Sequence, residues 1–386
     1  MSVETITLGC RLNFAESATI ARTAPPGEDW IVVNSCAVTN EAVRQTRQAI
    51  RRAHRDRPSA KILVTGCAAE LDSDSLAKLD GVSRVVGNSS KISSLAANDV
   101  MAPAGLLANV KSFVAIQTGC DHRCTFCSIW QERGPSLSLP FEAIRGAVDR
   151  EIDRGAAEIV LTGVDITDYD GGLGNLCQRL LAAEPRLKRL RLSSLDSVEI
   201  DDALFELIAG EPRLMPHFHL SFQAGDDLIL KRMKRRHSRA DAVRTVSRIK
   251  AVRPEATIGA DLIAGFPTET EEMSLNSLKL LDDCDIVAAH IFPFSPRPTT
   301  PAARMPQVPP ELVKARASRL RAAASQRRVV WLEGLAGTIQ PVLIEGDSIG
   351  HTDNFAPVTL AAATRGDNGD ARIMGFDGNR LMAVWA

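Results

Sequence analysis

Three cysteines, Cys120, Cys124 and Cys127, stand in the run TGCDHRCTFCSI (Thr118 to Ile129) and constrain this chain more than any other feature. The run follows directly on a predicted strand, Phe113 to Gln117, so three thiols share one compact loop. Thiolates are the usual ligands of iron-sulfur clusters, and a loop of this spacing can wrap three corners of a four-iron cubane. Three ligands leave one iron open, and an open iron can chelate the amino and carboxylate groups of a small molecule. The competing reading is a zinc knuckle, which needs a fourth Cys or His. His122 lies inside the loop, where its reach back to the same metal is sterically poor.

A second set comes from distant positions. Cys10, Cys36 and Cys67 each follow a predicted strand, in TLGC, VNSC and VTGC. If those strands are parallel, their carboxyl ends share one sheet edge, where ligands collect. Cys177 and Cys284 fall within helical patterns and read as core residues, because free Cys is among the most buried residue types. The chain has eight cysteines. It lacks a basic start followed by an apolar run, and it has no uninterrupted apolar stretch long enough for a span, so a cytoplasmic chain with no membrane segment is expected. Cytosolic thiols stay reduced, which makes metal binding the first question rather than disulfides.

The fold class expected is α/β. Strands at Thr5 to Leu8, Trp30 to Val33, Lys61 to Val64 and Arg84 to Val86 alternate with helices near Ala15 to Ala24 and Glu41 to Arg55, the pattern of a parallel-sheet domain over residues 1–100. Ala97 to Val110, with Pro103 and Gly105, suits a linker. Six strand-helix units then follow over residues 111–310, with strands at Phe113 to Gln117, Glu158 to Leu161, Arg189 to Ser193, His217 to Ser221, Thr257 to Ala264 and Ile286 to Phe292. They suggest a partial (β/α)6 barrel, shorter than the eight-unit form. An Arg-rich linker helix over residues 311–334 leads to residues 335–386. There, four short strands without helices (Thr338 to Ile344, Ala356 to Ala361, Ala371 to Met374 and Leu381 to Val384) suggest a small antiparallel β-barrel.

The CxxxCxxC loop after a first barrel strand, with Phe126 before its last Cys, resembles the signature of radical S-adenosylmethionine (SAM) enzymes. The resemblance implies that Cys120, Cys124 and Cys127 are the catalytic cluster ligands. LTGVD (Leu161 to Asp165) is similar to the motif that meets the SAM amino group, through Gly163, Val164 and Asp165. AGFPT (Ala264 to Thr268) is similar to the adenine motif, with Gly265 and Pro267, and Ser221 and Gln223 end another strand on the same rim. GCRLNFAES (Gly9 to Ser17), VNSCAVT (Val33 to Thr39) and TGCAAE (Thr65 to Glu70) further resemble the N-terminal motifs of the methylthiotransferases. That likeness implies two 4Fe-4S clusters, the second on Cys10, Cys36 and Cys67, with SAM as both methyl donor and radical source. It also implies a sulfur donor and a reducing electron donor.

Three branches of that family act on isopentenyl-modified adenosine in tRNA, on N6-threonylcarbamoyladenosine in tRNA, and on an aspartate of a ribosomal protein. LTGVDITDYD, LRLSSLDSVEID, KRMKRRHSR and FSPRPTTPAARMP are most similar to the threonylcarbamoyladenosine branch. The partner implied is the tRNA anticodon loop, and a monomer is expected. Arg44, Arg47, Arg51 and Arg55 at helical spacing, Lys231 to Arg239, and Lys314 to Arg328 are candidate phosphate contacts. The last module resembles the RNA-binding TRAM barrel, yet from Val329 onward it has seven acidic residues against three Arg, which opposes phosphate binding. Trp130 stands where the family often has Pro, and Leu137 where it often has Arg. Two alternatives are the ribosomal-protein aspartate enzyme and a noncatalytic metal-bearing RNA-binding scaffold.

Overall fold

The structure is a computed structural model that describes residues 3–23, 29–88 and 110–386. Apart from Val110, the expected linker and the domain boundary at residue 100 lie outside the described residues. The first unit is a parallel sheet in the order β1 (Val3–Thr7), β2 (Trp30–Ser35), β3 (Lys61–Gly66), β4 (Val82–Val86). Strand β2, WIVVNS, is buried along its whole length, as a strand covered on both faces must be. The helix Asn40–Asp56 starts where Thr39 accepts a hydrogen bond from the Ala42 N–H at 3.1 Å. The first helix is Arg11–Thr23, beginning four residues before the expected Ala15. Its opening turn carries buried Asn13, whose Nδ2 donates to the carbonyls of Leu8 and Ser35, and this polar contact hides the turn from an apolar periodicity.

The second unit contains β5 (Lys111–Ala115), a two-residue hairpin of β6 (Gln117–Thr118) and β7 (Leu137–Ser138), then β8 (Glu158–Thr162), β9 (Leu190–Leu192), β10 (His217–Gln223), β11 (Thr257–Ala264) and β12 (Ile286–Pro293). The parallel trios β5-β8-β9 and β10-β11-β12 are joined by a bridge between Leu195 and Leu220, which makes a six-strand barrel open between β5 and β12. Period-two alternation divides the strands. In β10, Phe218, Leu220 and Phe222 enter the main apolar core, so the residues that alternate with them, His217, His219, Ser221 and Gln223, belong to the opposite face. The interior is therefore polar. Pro310–Glu333, expected as a linker helix, contributes Ala317, Leu320 and Ala324 to the same core.

The third unit is a closed barrel in the order β13-β14-β15-β17-β16, from β13 (Ile339–Gly346), β14 (Ile349–Thr352), β15 (Pro357–Leu360), β16 (Asn368–Phe376) and β17 (Leu381–Trp385). It differs from the sequence expectation in two ways. Strand β14, IGHT, was not expected, because Gly350 breaks the alternation; a Cβ there would lie 2.0 Å from the Leu343 carbonyl oxygen. The barrel is also not wholly antiparallel, since β15 and β17 pair in parallel.

This module closes the amino-terminal end of the central barrel. Thr257 Oγ1 donates to the Asn354 carbonyl at 2.7 Å, and the Phe355 ring stacks on both His217 and His351. Lys111 Nζ meets Glu345 Oε1 at 2.6 Å. Burial pushes the Glu345 carboxyl up, but the His351 hydrogen bond and the Lys111 charge outweigh that and hold it at about 2. A folded value below the unfolded one stabilises above pH about 4.5, and that contribution fades as pH falls toward about 2. In acid thermal scans of the apoprotein, Glu345→Gln should therefore lose less stability than the parent between those values; equal losses would contradict the assignment.

Candidate functional site: two cysteine loops beside one pocket

Cys120 begins its loop after Gly119, which has φ +73° and lies so near the Pro135 carbonyl that a Cβ would be 1.8 Å from its oxygen. The loop is held from both sides. Cys120 N–H donates to the Gly134 carbonyl, Thr125 N–H to Met233, and Ala302 N–H to the Thr125 carbonyl. Phe126 packs against the apolar cluster containing Ala224, Ile263 and Phe266. The loop conformation is thus fixed by contacts, remote in sequence, with the segments that follow β10, β11 and β12.

The other three cysteines converge at the carboxyl edge of the first sheet. Cys36 follows β2 directly, Cys67 follows β3, and Cys10 stands three residues past β1. Gly9 has φ +95°, and a Cβ on it would lie 2.6 Å from Cys36 Cβ and 2.7 Å from its Sγ. The glycine thereby lets two cysteine-bearing turns touch. Gly9→Ala should remove about half of the bound iron while the SAM-side loop keeps its share, measured by iron analysis after anaerobic reconstitution; full iron content would contradict this.

The helix Ile129–Arg133, directly after Cys127, connects the two sets. Arg133 is buried and donates to Glu16 Oε1 and to Asn13 Oδ1, each at 2.6 Å. Its neighbour Glu132 is buried too. Burial pushes the Glu132 carboxyl up, while Ser128, whose Oγ donates to it at 2.5 Å, Cys67 and Arg297 pull it back. Asn88 Nδ2 donates to the Glu132 carbonyl at 3.0 Å and faces Cys67 Sγ at 3.7 Å. A five-residue helix therefore touches both cysteine sets.

The residues expected around SAM are gathered by partners that sequence reading missed. Gln117 Oε1 accepts from the N–H groups of Val164 and Asp165 at 3.0 and 2.9 Å, and a Cβ on Gly163 would collide with the same side chain. Asp165 Oδ2 meets His122 Nε2 at 2.8 Å, with Glu199 at 3.3 Å from the same nitrogen. The Asp165 and Glu199 hydrogen bonds raise His122 to about 10. Gly265 N–H donates to Glu269 Oε1, which buried Arg316 also holds; Pro267 follows in the same turn. Ser221 offers its carbonyl to Arg235, whose NH1 approaches Cys124 Sγ at 3.9 Å. Gln223 ends β10 at φ +67° and lines a pocket of about 220 Å³. Val38 and Thr39 from the Cys36 loop enter that pocket from one side, and Phe126, Cys127 and Ser128 from the other.

The donor chemistry fits four-iron clusters. Among the described residues, ligand atoms converge within 4.8 Å at His122, Asp165 and Glu199 and at His219, Asp261 and His290, but at neither thiol triad. One tetrahedral zinc would require sulfurs about 3.8 Å apart, from a Zn–S distance of about 2.3 Å; a cubane spreads them further. Each triad is nevertheless close enough that its thiols act on one another electrostatically. Burial pushes Cys120 and Cys127 up to about 12 and raises Cys36 and Cys67 as well. Such thiols are poor free nucleophiles, whereas metal coordination removes the proton outright. Cys177 and Cys284 are fully buried in the barrel core.

Two of the basic runs are not the open surfaces expected. In Lys231 to Arg239, Arg235 pairs with Asp196, Arg236 with Glu199 and Arg239 with Asp283, and only side chains such as Lys231 and Lys234 stay exposed. In Lys314 to Arg328, Arg316, Arg319 and Arg327 pair inward with Glu269, Glu271 and Asp282. On Asn40–Asp56, Arg44 and Arg47 are paired with Glu41 and Asp72, and Arg51 is exposed. The first two runs are largely tied into the fold, whereas the helix Asn40–Asp56 presents Arg44, Arg51 and Arg55 at its surface.

Comparison with known proteins agrees with this geometry. Residues 114–281 match the Radical SAM superfamily, and residues 2–87 match the uncharacterized protein family UPF0004. The chain is 43% identical to the threonylcarbamoyladenosine tRNA methylthiotransferase MtaB of Rickettsia prowazekii, over 92% of this chain and 91% of that one. It is 33% identical to the MtaB of Thermotoga maritima, over 88% and 85%. It is also 33% identical to the tRNA-2-methylthio-N(6)-dimethylallyladenosine synthase of Erythrobacter litoralis, over 87% and 85%. In fold it is similar to the radical S-adenosylmethionine methyltransferase TsrM of Kitasatospora setae, with TM-score 0.54 and 14% identity, over 86% of this chain and 70% of that one. Among the described residues no helix is long and apolar enough to cross a membrane. With its two cysteine motifs in place and relatives matched along nearly its whole length, the chain belongs to the radical SAM methylthiotransferase family, in its MtaB-like branch.

Proposed function

We propose that this chain adds a methylthio group to C2 of N6-threonylcarbamoyladenosine beside the anticodon of tRNA. The observation that carries this reading is the shared pocket: the Cys36 loop and the Cys127 loop line the same 220 Å³ space, so two cluster sites face one substrate position. Cys120, Cys124 and Cys127 would hold the cluster that binds SAM, and Cys10, Cys36 and Cys67 the cluster that carries sulfur. When bound, the first cluster supplies the electron that splits SAM into methionine and a 5′-deoxyadenosyl radical.

The chain's own residues orient the reactants. Gln117 fixes the backbone of Val164 and Asp165, and the bond to His122 keeps the Asp165 carboxylate aimed across the Cys120 loop. Glu269, held by Arg316, fixes the Gly265 turn against which the adenine would lie. Phe126, Ile263 and Phe292 give the pocket apolar walls that exclude water from a radical path. Arg51, Lys231 and Lys234 are exposed cations available to RNA phosphates. The domain units read as residues 1–100, 111–310, 311–334 and 335–386.

The test is anaerobic turnover. Reconstituted protein with SAM, dithionite and sulfide should convert the threonylcarbamoyladenosine of an anticodon stem-loop RNA to its methylthio form, detected by nucleoside mass spectrometry. Methylthiolation of a ribosomal-protein aspartate, with none on the RNA, would contradict the reading.

A further inference from the structure

Below the shared pocket, toward the amino-terminal end of the barrel strands, lies a second cavity of about 160 Å³ with a different chemistry. Two arginines, Arg11 and Arg328, line it together with His217, His219, His290 and His351. Among the described residues neither guanidinium makes a hydrogen bond or an ion pair, whereas nearby Arg189 and Arg191 are tied to Glu158, and Lys111 to Glu345. One carboxylate links the shared pocket to the cavity. Asp261 lines the pocket, and its Oδ1 meets His219 Nε2 at 2.9 Å and His290 Nδ1 at 3.1 Å, both cavity residues. That carboxylate is thus occupied by the two imidazoles. His290 is exposed, so the cavity has a way out toward the opening of the barrel beside β12.

Arg11 is the residue after Cys10, and Arg328 projects from Pro310–Glu333, so two separate parts of the chain bring cations to one small chamber. Arg11 lies within electrostatic reach of Arg191 and of the carboxylates of Glu158 and Asp261, and Arg328 faces the same chamber from the long helix. A half-buried guanidinium without a hydrogen-bonded partner has lost part of its hydration, and a bound anion would replace it.

Building on the function proposed above, we infer that Arg11 and Arg328 seat the carboxylate of the substrate's threonyl group in this cavity, with the adenine in the adjoining pocket. The threonyl carboxylate is the anion that distinguishes this base from adenosine and from isopentenyladenosine. A planar guanidinium fork matches a carboxylate. The seat requires the open form of the threonylcarbamoyl group, because ring closure through the carboxyl consumes the anion.

The experiment uses reconstituted full-length protein and three anticodon stem-loop RNAs, bearing threonylcarbamoyladenosine, its neutral threonine-carboxamide analogue, or plain adenosine, with binding read by fluorescence anisotropy. The parent should bind the acid about tenfold more tightly than the carboxamide, the scale of a charge-assisted contact. Arg11→Gln and Arg328→Gln should each bring that ratio below about threefold, Arg11→Lys should keep only part of it, and affinity for the adenosine RNA should stay within about twofold. Equal binding of acid and carboxamide by the parent overturns the inference, as does an unchanged ratio in both glutamine variants. So does a weakening of SAM binding with the RNA ratio intact, which would give the seat to the methionine carboxylate. Acid preference without any methylthio product would keep the seat and reject the proposed activity; product formed without acid preference would do the reverse.

Discussion

Replacing Cys124 with alanine should abolish anaerobic formation of 5′-deoxyadenosine from SAM and lower bound iron from about eight to about four per chain. The cysteine is buried at the centre of the loop, and Arg235 NH1 approaches its sulfur, so no other side chain can take its place. Two remaining thiols do not retain a cubane that already has an open corner. The first triad is built on a different sheet and should keep its cluster. Product formation at the parent rate, or iron unchanged at about eight, would contradict the assignment of this loop.

Arg133→Met should destabilise the apoprotein by about 3–5 kcal/mol in denaturant unfolding, because it leaves Glu16 buried without its partner. Both side chains are nearly inaccessible, at 2% and 5% exposure, and the ion pair bridges the SAM-side helix and the first helix of the chain. Asn13 would also lose its donor, freeing the turn that presents Cys10. The variant should therefore take up less iron at the first triad than at the second. A stability change below about 1 kcal/mol would show that the pair is solvated and does not couple the two units.

These two residues illustrate what was legible. The Cys124 loop was legible because CxxxCxxC after a strand is local spacing, and the convergence of Cys10, Cys36 and Cys67 was legible because parallel strands deliver their ends to one edge. Arg133 was not. Its partner Glu16 is 117 positions away, and a buried charge violates the apolar pattern by which interiors are recognised. Gln117 and Arg235 were missed for the same reason: what they hold lies in other strands and loops. The run Lys231 to Arg239 was misread in the opposite direction, since sequence shows positive charge but not the Asp196, Glu199 and Asp283 that neutralise it. Strand β14 was lost because a four-residue strand with a glycine at a close backbone contact has no alternation to detect. The six barrel strands were plain because each carries closely spaced apolar residues, and helices separate most of them.

The most direct test of the proposed activity is nucleoside mass spectrometry on tRNA from cells with the gene deleted. Threonylcarbamoyladenosine should persist and its methylthio derivative should disappear, returning when the intact chain is restored but not when Cys124→Ala is supplied. Methylthio-threonylcarbamoyladenosine at the parental level in the deletion strain would contradict it.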